Sequence, residues 1–186
     1  MAGKYADEKD VPPTFWQRIR SWVWGFVFVF VFALTAVELG LVSHILHQHG
    51  NDSGNYPSLE FKNDLGLILF SCIATLLYVL SHPWSGARMC CFWSFVFAVF
   101  WGTCAGVLNR VVPFEAHNCG ADPSHFDPKW RPWQHQCSEL VTLQAFAWTL
   151  WAVFIFKWIG FMCEVFSIHV KPKPKPFYRS KLFDTV

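Results

Sequence analysis

Residues 21–46 read SWVWGFVFVFVFALTAVELGLVSHIL, and no charged residue interrupts the stretch from Ser21 to Val37. As a helix rising 1.5 Å per residue, this run is long enough to cross the ~30 Å hydrocarbon core of a bilayer. It exceeds the roughly 7–15 apolar residues of a signal-peptide core. No small-x-small cleavage site follows it directly, and Asp7, Glu8 and Asp10 mix with the bases in front of it, so the sequence predicts a retained span. Phe28, Phe30 and Phe32 alternate with Val27, Val29 and Val31, a period of two that by itself would suit a strand. In lipid, however, a spanning segment has to satisfy its own backbone groups, and the other apolar runs lack the alternation of barrel strands. The alternation then distributes rings around a helix, some of them facing lipid.

Three further apolar runs follow, Leu65 to Ser81, Met89 to Asn109 and Leu140 to about Ile168. His82-Pro83 closes the second, because proline disfavours helix at the residue before it. The expected fold is an all-α, four-transmembrane-helix bundle with spans at about 21–46, 65–82, 89–110 and 140–168. Residues 1–20 form an N-terminal segment with an interfacial turn, residues 21–169 the four-span domain, and residues 170–186 a basic Lys-Pro tail. The whole composition agrees: 53% of the 186 residues are hydrophobic and 15% charged, against about 25% charged in a soluble domain. A net charge of +2 excludes nucleic-acid binding by bulk positive charge.

Lysine and arginine set the orientation. Lys4, Lys9, Arg18, Arg20, Arg88, Lys171, Lys173, Lys175, Arg179 and Lys181 fall on one side; Lys62, Arg110, Lys129 and Arg131 fall on the other. The positive-inside rule makes the first side cytoplasmic and places both termini there. Two outer loops result, roughly Gln48–Asp64 and Val111–Glu139. The expected location is the plasma membrane or a secretory-pathway membrane. Trp16, Trp22, Trp24, Trp84, Trp93 and Trp158 lie near the inner boundary, where indoles anchor a span.

Of seven cysteines, Cys119 and Cys137 share the second outer loop, on the oxidising side, and a disulfide between them is expected. Pro123, Pro128 and Pro132 with Trp130 and Trp133 predict a stiff cap beside it. Cys90 and Cys91, next to Arg88 at the inner boundary, are candidates for S-palmitoylation. Ala36-x-x-x-Gly40 and Gly102-x-x-x-Gly106 offer small-residue surfaces for helix packing, within the chain or between copies.

Three ionisable residues, Glu38, Lys157 and Glu164, fall in or near the spans, where charge is costly. Glu164 is close to the inner boundary, and Lys157 can direct its ammonium there by snorkelling. Glu38 lies ~12 Å from the outer end of its helix by helical rise, and suits either a structural bond or a proton or ion path. His44, His47 and His49 cluster where the first span leaves the membrane and are weak candidates for Zn or Cu. No His-Glu-x-x-His, nucleotide loop or nucleophile elbow occurs, so no catalytic residue and no cofactor is expected. Lys171, Lys173 and Lys175, alternating with proline, suit an extended tail attracted to anionic inner-leaflet lipid.

The arrangement resembles the MARVEL-domain family, particularly its small fungal members. The resemblance rests on four spans with both ends inside, a short first outer loop, and Ala116-His117-Asn118-Cys119 after span three. Cys137 then precedes a long aromatic fourth span beginning Ser138-Glu139-Leu140. Tetraspanins match less well, since their Cys-Cys-Gly lies in the large outer loop, whereas Cys90-Cys91 is on the inner side and followed by Phe92. Claudins carry a Trp and two-cysteine signature that residues 48–64 lack. The resemblance implies a non-enzymatic protein that organises membrane domains by lateral, homo-oligomeric association and by contact with lipids, sterols among them. A small channel or transporter using Glu38 and Lys157 is the alternative.

Overall fold

A computed structural model describes residues 15–170. Among them are four long helices, α1 (Phe15–His49), α2 (Leu59–Ser81), α3 (Ala87–Val111) and α4 (Cys137–Val170), and no strand. All four are long and apolar enough to cross a membrane. Each packs against its neighbours in sequence and α4 closes back on α1, with α3 against α4 the most extensive pairing. The result is a square bundle. One end, the loop end, carries the connections from α1 to α2 and from α3 to α4; the other is the turn end.

Local chemistry sets the boundaries. Gly50 ends α1 with φ 68°, a left-handed conformation that glycine adopts without a Cβ clash, and its N–H reaches Leu46 O at 3.0 Å. Ser58 caps α2, its Oγ accepting from Phe61 N–H at 3.1 Å. That cap starts α2 at Leu59 rather than near Leu65, and so brings Glu60, Lys62 and Asp64 into the helix. The charges that end the apolar run do not end the helix, because the periodic positions Phe61, Leu65, Ile68 and Cys72 already carry its buried face. At the other end Pro83 lies in a 3-10 turn, His82–Trp84, and α3 resumes at Ala87.

The interior is filled by large rings: Phe61, Phe97, Trp101, Phe114, Phe154 and Phe161 are almost wholly buried. The outer surface is equally apolar. Trp22, Phe26, Val29, Leu77, Phe156 and Phe166 point away from the bundle, as expected where the surrounding medium is hydrocarbon. On α1, Phe28 packs inward and Phe26, Phe30 and Phe32 face out, so rings occur on both faces of that helix.

Candidate functional site

Three regions carry chemistry: a cap at the loop end, a set of polar side chains inside the bundle, and a groove on its outer surface.

The cap is built on a disulfide between Cys119 and Cys137, whose Cα atoms are 5.5 Å apart. It pins the long connection to the first residue of α4. Trp130 and Trp133 turn inward beneath it, and both meet Phe61 edge-on with ring centroids 5.3 Å apart. Phe114 packs edge-on against Phe126 and Trp130. His49 stacks on Trp133 at 3.8 Å, fastening the end of α1 to the same cluster. Tyr56 O–H donates to Gly50 O at 2.7 Å, and burial raises the Tyr56 hydroxyl above the usual phenol range. Asp122 is held below the usual carboxylate range first by the Ser124 side chain and then by the Ser124 backbone N–H, which donates to Oδ1 at 2.8 Å. Gln136 Nε2 donates to Gln48 Oε1, and Gln134 Nε2 to Ala121 O.

Inside the bundle, Glu38 on α1 is completely buried, and Asp64 on α2 is 4% exposed. Neither carboxyl has a hydrogen-bond partner. Cys104 lies within electrostatic reach of both, and Cys72 of Glu38. Ser71 Oγ and Cys104 Sγ are 3.9 Å apart. Deeper, Trp101 Nε1 donates to Thr75 Oγ1 at 3.2 Å. Toward the turn end, Tyr78 Oη and Ser94 Oγ approach at 3.4 Å. Lys157 on α4, 2% exposed, places its ammonium over the rings of Phe28, Tyr78 and Phe154, at 3.7, 4.8 and 4.9 Å. His82 and Cys90 are its titratable neighbours.

The groove lies between α3 and α4 on the outer face, with a volume of about 400 Å³. Ala98 and Gly102 form its floor, and Phe95, Trp148, Trp151 and Trp158 its walls. Gly102 is required there: a Cβ would come within 2.8 Å of Trp151 Cδ1. Thr103 donates its hydroxyl to Val99 O at 2.9 Å, so even this rim residue leaves the groove apolar.

Several expectations need correction. Lys157 does not snorkel; its stem carries the ammonium into the ring cluster of the bundle. Ala36, Gly40 and Gly106 are exposed on the outer face, with nothing within 4 Å of a Cβ at either glycine, so of the four residues of these two motifs Gly102 is the one in close approach to a neighbouring helix. Cys90 and Cys91, the candidates for S-palmitoylation, are buried, 1% and 9% exposed. Among the described residues no three His, Cys, Asp or Glu side chains converge as metal ligands. His44 Nε2 instead faces Gln48 Nε2 at 2.8 Å. Lys171, Lys173 and Lys175 lie outside the described residues, as does the Glu164 side chain.

Asp64, which hydropathy places at the end of the first outer loop, is instead buried in the bundle on α2. Its signal was helical spacing, since Phe61, Asp64, Ile68 and Ser71 follow at three- and four-residue intervals on the face that is buried. No family model, no curated protein and no solved structure matches this chain.

Proposed function

We propose that this chain is a non-enzymatic, MARVEL-like multi-pass protein of the plasma membrane or secretory pathway that organises membrane by holding lipid and associating laterally. Its termini face the cytosol, which turns the disulfide-bonded cap outward, into the oxidising compartment where that bond persists. The observation that carries the reading is the α3/α4 groove. It is apolar, walled by tryptophans and open on the face that a spanning helix turns to lipid, so an acyl chain or the fused rings of a sterol fits it chemically.

The exposed small residues of α1 support the second half of the proposal. Ala36 and Gly40 leave a shallow strip on a surface otherwise made of large side chains, where a helix of a second copy can approach closely. Lys171, Lys173 and Lys175 would add attraction to anionic inner-leaflet lipid, worth ~1 kcal/mol per base near the surface.

Photoactivatable sterol and photoactivatable phospholipid, each supplied to the full chain in native-lipid nanodiscs, test the groove. Wild type is expected to be labelled within residues 95–103 and 148–158. The double variant Val99→Phe/Thr103→Phe fills the groove from two residues on its lining and is expected to lower that labelling about fivefold or more, a loss of ~1 kcal/mol in affinity. Equal labelling of wild type and variant by both probes would refute lipid holding at this site.

A further inference from the structure

Lateral association and lipid holding give no task to the polar side chains inside the bundle. Three of these, Glu38, Asp64 and Lys157, come from three different helices, are at most 4% exposed, and have no hydrogen-bond partner for their carboxyl or ammonium groups. Ionisable groups at membrane depth are expensive, and a fold that places three of them in its interior without partners has a use for their protons. Nor are they scattered. Counting helical rise from the loop end of each helix, Asp64 lies ~8 Å down, Cys104 ~10 Å, Glu38 ~16 Å, Cys72 ~20 Å, Thr75 ~24 Å, Tyr78 ~28 Å and Lys157 ~30 Å. The order is acid, thiol, acid, thiol, hydroxyl, hydroxyl, amine, running along the bundle from one end toward the other.

We propose that the bundle interior conducts protons between the two faces of the membrane, with Asp64 and Glu38 as relay acids and Lys157 as the relay amine. In one direction, water at the loop end protonates the Asp64 carboxylate. That proton passes through intervening water, alongside Cys104, to the Glu38 carboxylate, and Asp64 is left ready for the next. From Glu38 it moves through intervening water, alongside Cys72, Thr75 and Tyr78, to the Lys157 amine, and the ammonium gives it up at the turn end, where His82 is the neighbouring base. Each transfer breaks one bond to hydrogen and forms another; one proton leaves for each that enters, and a counter-ion current balances the charge.

The species is the proton rather than a hydrated ion because of what fills the same layers. Phe97, Trp101 and Phe154 are almost wholly buried there, which opposes passage of an ion with its hydration shell; the carboxyls and the ammonium have no hydrogen-bond partner in the protein, so single waters entering between them complete each transfer. Among the described residues, Asp64 lies within electrostatic reach of Cys104 from α3. Glu38 lies within electrostatic reach of Cys72 from α2 and Cys104 from α3. Lys157 lies over the Tyr78 ring of α2 and the Phe28 ring of α1, and within electrostatic reach of His82 on the α2 side and Cys90 of α3.

The test is proton flux into liposomes that contain the purified full chain and an enclosed pH-sensitive dye, driven by a potassium gradient with valinomycin. Wild type is expected to acidify the lumen at least about tenfold faster than protein-free liposomes, and Glu38→Gln and Lys157→Met each to remove about nine-tenths of that protein-dependent rate. Glu115→Gln, in the exposed loop, is expected to keep it. Should Glu38→Gln fail to fold, judged by its elution and its Cys119–Cys137 bond, Asp64→Asn serves in its place. A wild-type rate equal to that of protein-free liposomes would overturn the proposal, and so would full wild-type flux in a folded Glu38→Gln or Asp64→Asn protein.

Discussion

Replacing Lys157 by methionine separates the charge of that side chain from its volume. The ammonium sits 3.7, 4.8 and 4.9 Å from three ring centroids. A desolvated cation gains ~2 kcal/mol from a ring, so the three together give at most ~6 kcal/mol, less whatever is lost because the contacts are not independent. Against this stands the cost of keeping the ion away from water, still several kcal/mol after relaxation, with no hydrogen bond at Nζ to offset it. In the separated helix the stem would be free to carry the ammonium to the interface, so that cost falls on the assembled bundle. The two terms nearly cancel. Methionine fills almost the same space without either, so Lys157→Met is expected to leave the unfolding midpoint of the purified protein unchanged or to raise its stability by ~1–4 kcal/mol. Lys157→Ala also removes the buried methylenes and is expected to lose ~2–5 kcal/mol. The assay is denaturant or thermal unfolding in one detergent for all three proteins, followed by near-UV circular dichroism of the tryptophans. If Lys157→Met falls as far as Lys157→Ala, the ammonium holds the bundle together and the reasoning fails.

Four other outcomes follow from the packing. Cys119→Ser/Cys137→Ser removes a cross-link between positions 18 apart and should lower stability by ~3 kcal/mol, a difference that reducing agent reproduces in wild type. Gly40→Ala, with open space around a Cβ, should stabilise the monomer by ~0.5–1 kcal/mol while lowering energy transfer between labelled copies in vesicles. Gly160→Ala should do the opposite to the monomer, costing ~1–3 kcal/mol, because its Cβ would come within 2.8 Å of Trp24. At Asp122 the sign follows from a depressed carboxyl: the contact with Ser124 is fully present above the usual carboxylate value and is lost as pH falls through the lower one. The Ser124 amide resonance should therefore shift with a midpoint below the normal aspartate range.

The spans were legible because the need to satisfy every backbone group in lipid turns a long apolar run into a helix, whatever its finer pattern. The pairing of Cys119 with Cys137 was legible for a similar reason, both being confined to one loop. What escaped was the start of α2. Glu60, Lys62 and Asp64 interrupt hydropathy, while the Ser58 cap and the buried face from Phe61 onward continue the helix through them. On hydropathy alone Asp64 is a loop acid; the continued helix makes it a buried carboxyl like Glu38.

The linear chain alone determined an all-helical protein with four apolar rods and a cross-linked loop, since those depend on segment length and residue type. Which way each rod turns depends on the other rods. Only the tertiary arrangement decided that Lys157 enters a ring cluster, that Ala36 and Gly40 face outward while Gly102 meets Trp151, and that Glu38, Asp64 and Lys157 occupy successive depths of one interior. In a helix that is apolar nearly all round, the sequence carries little signal for its buried side; contact with its neighbours supplies it.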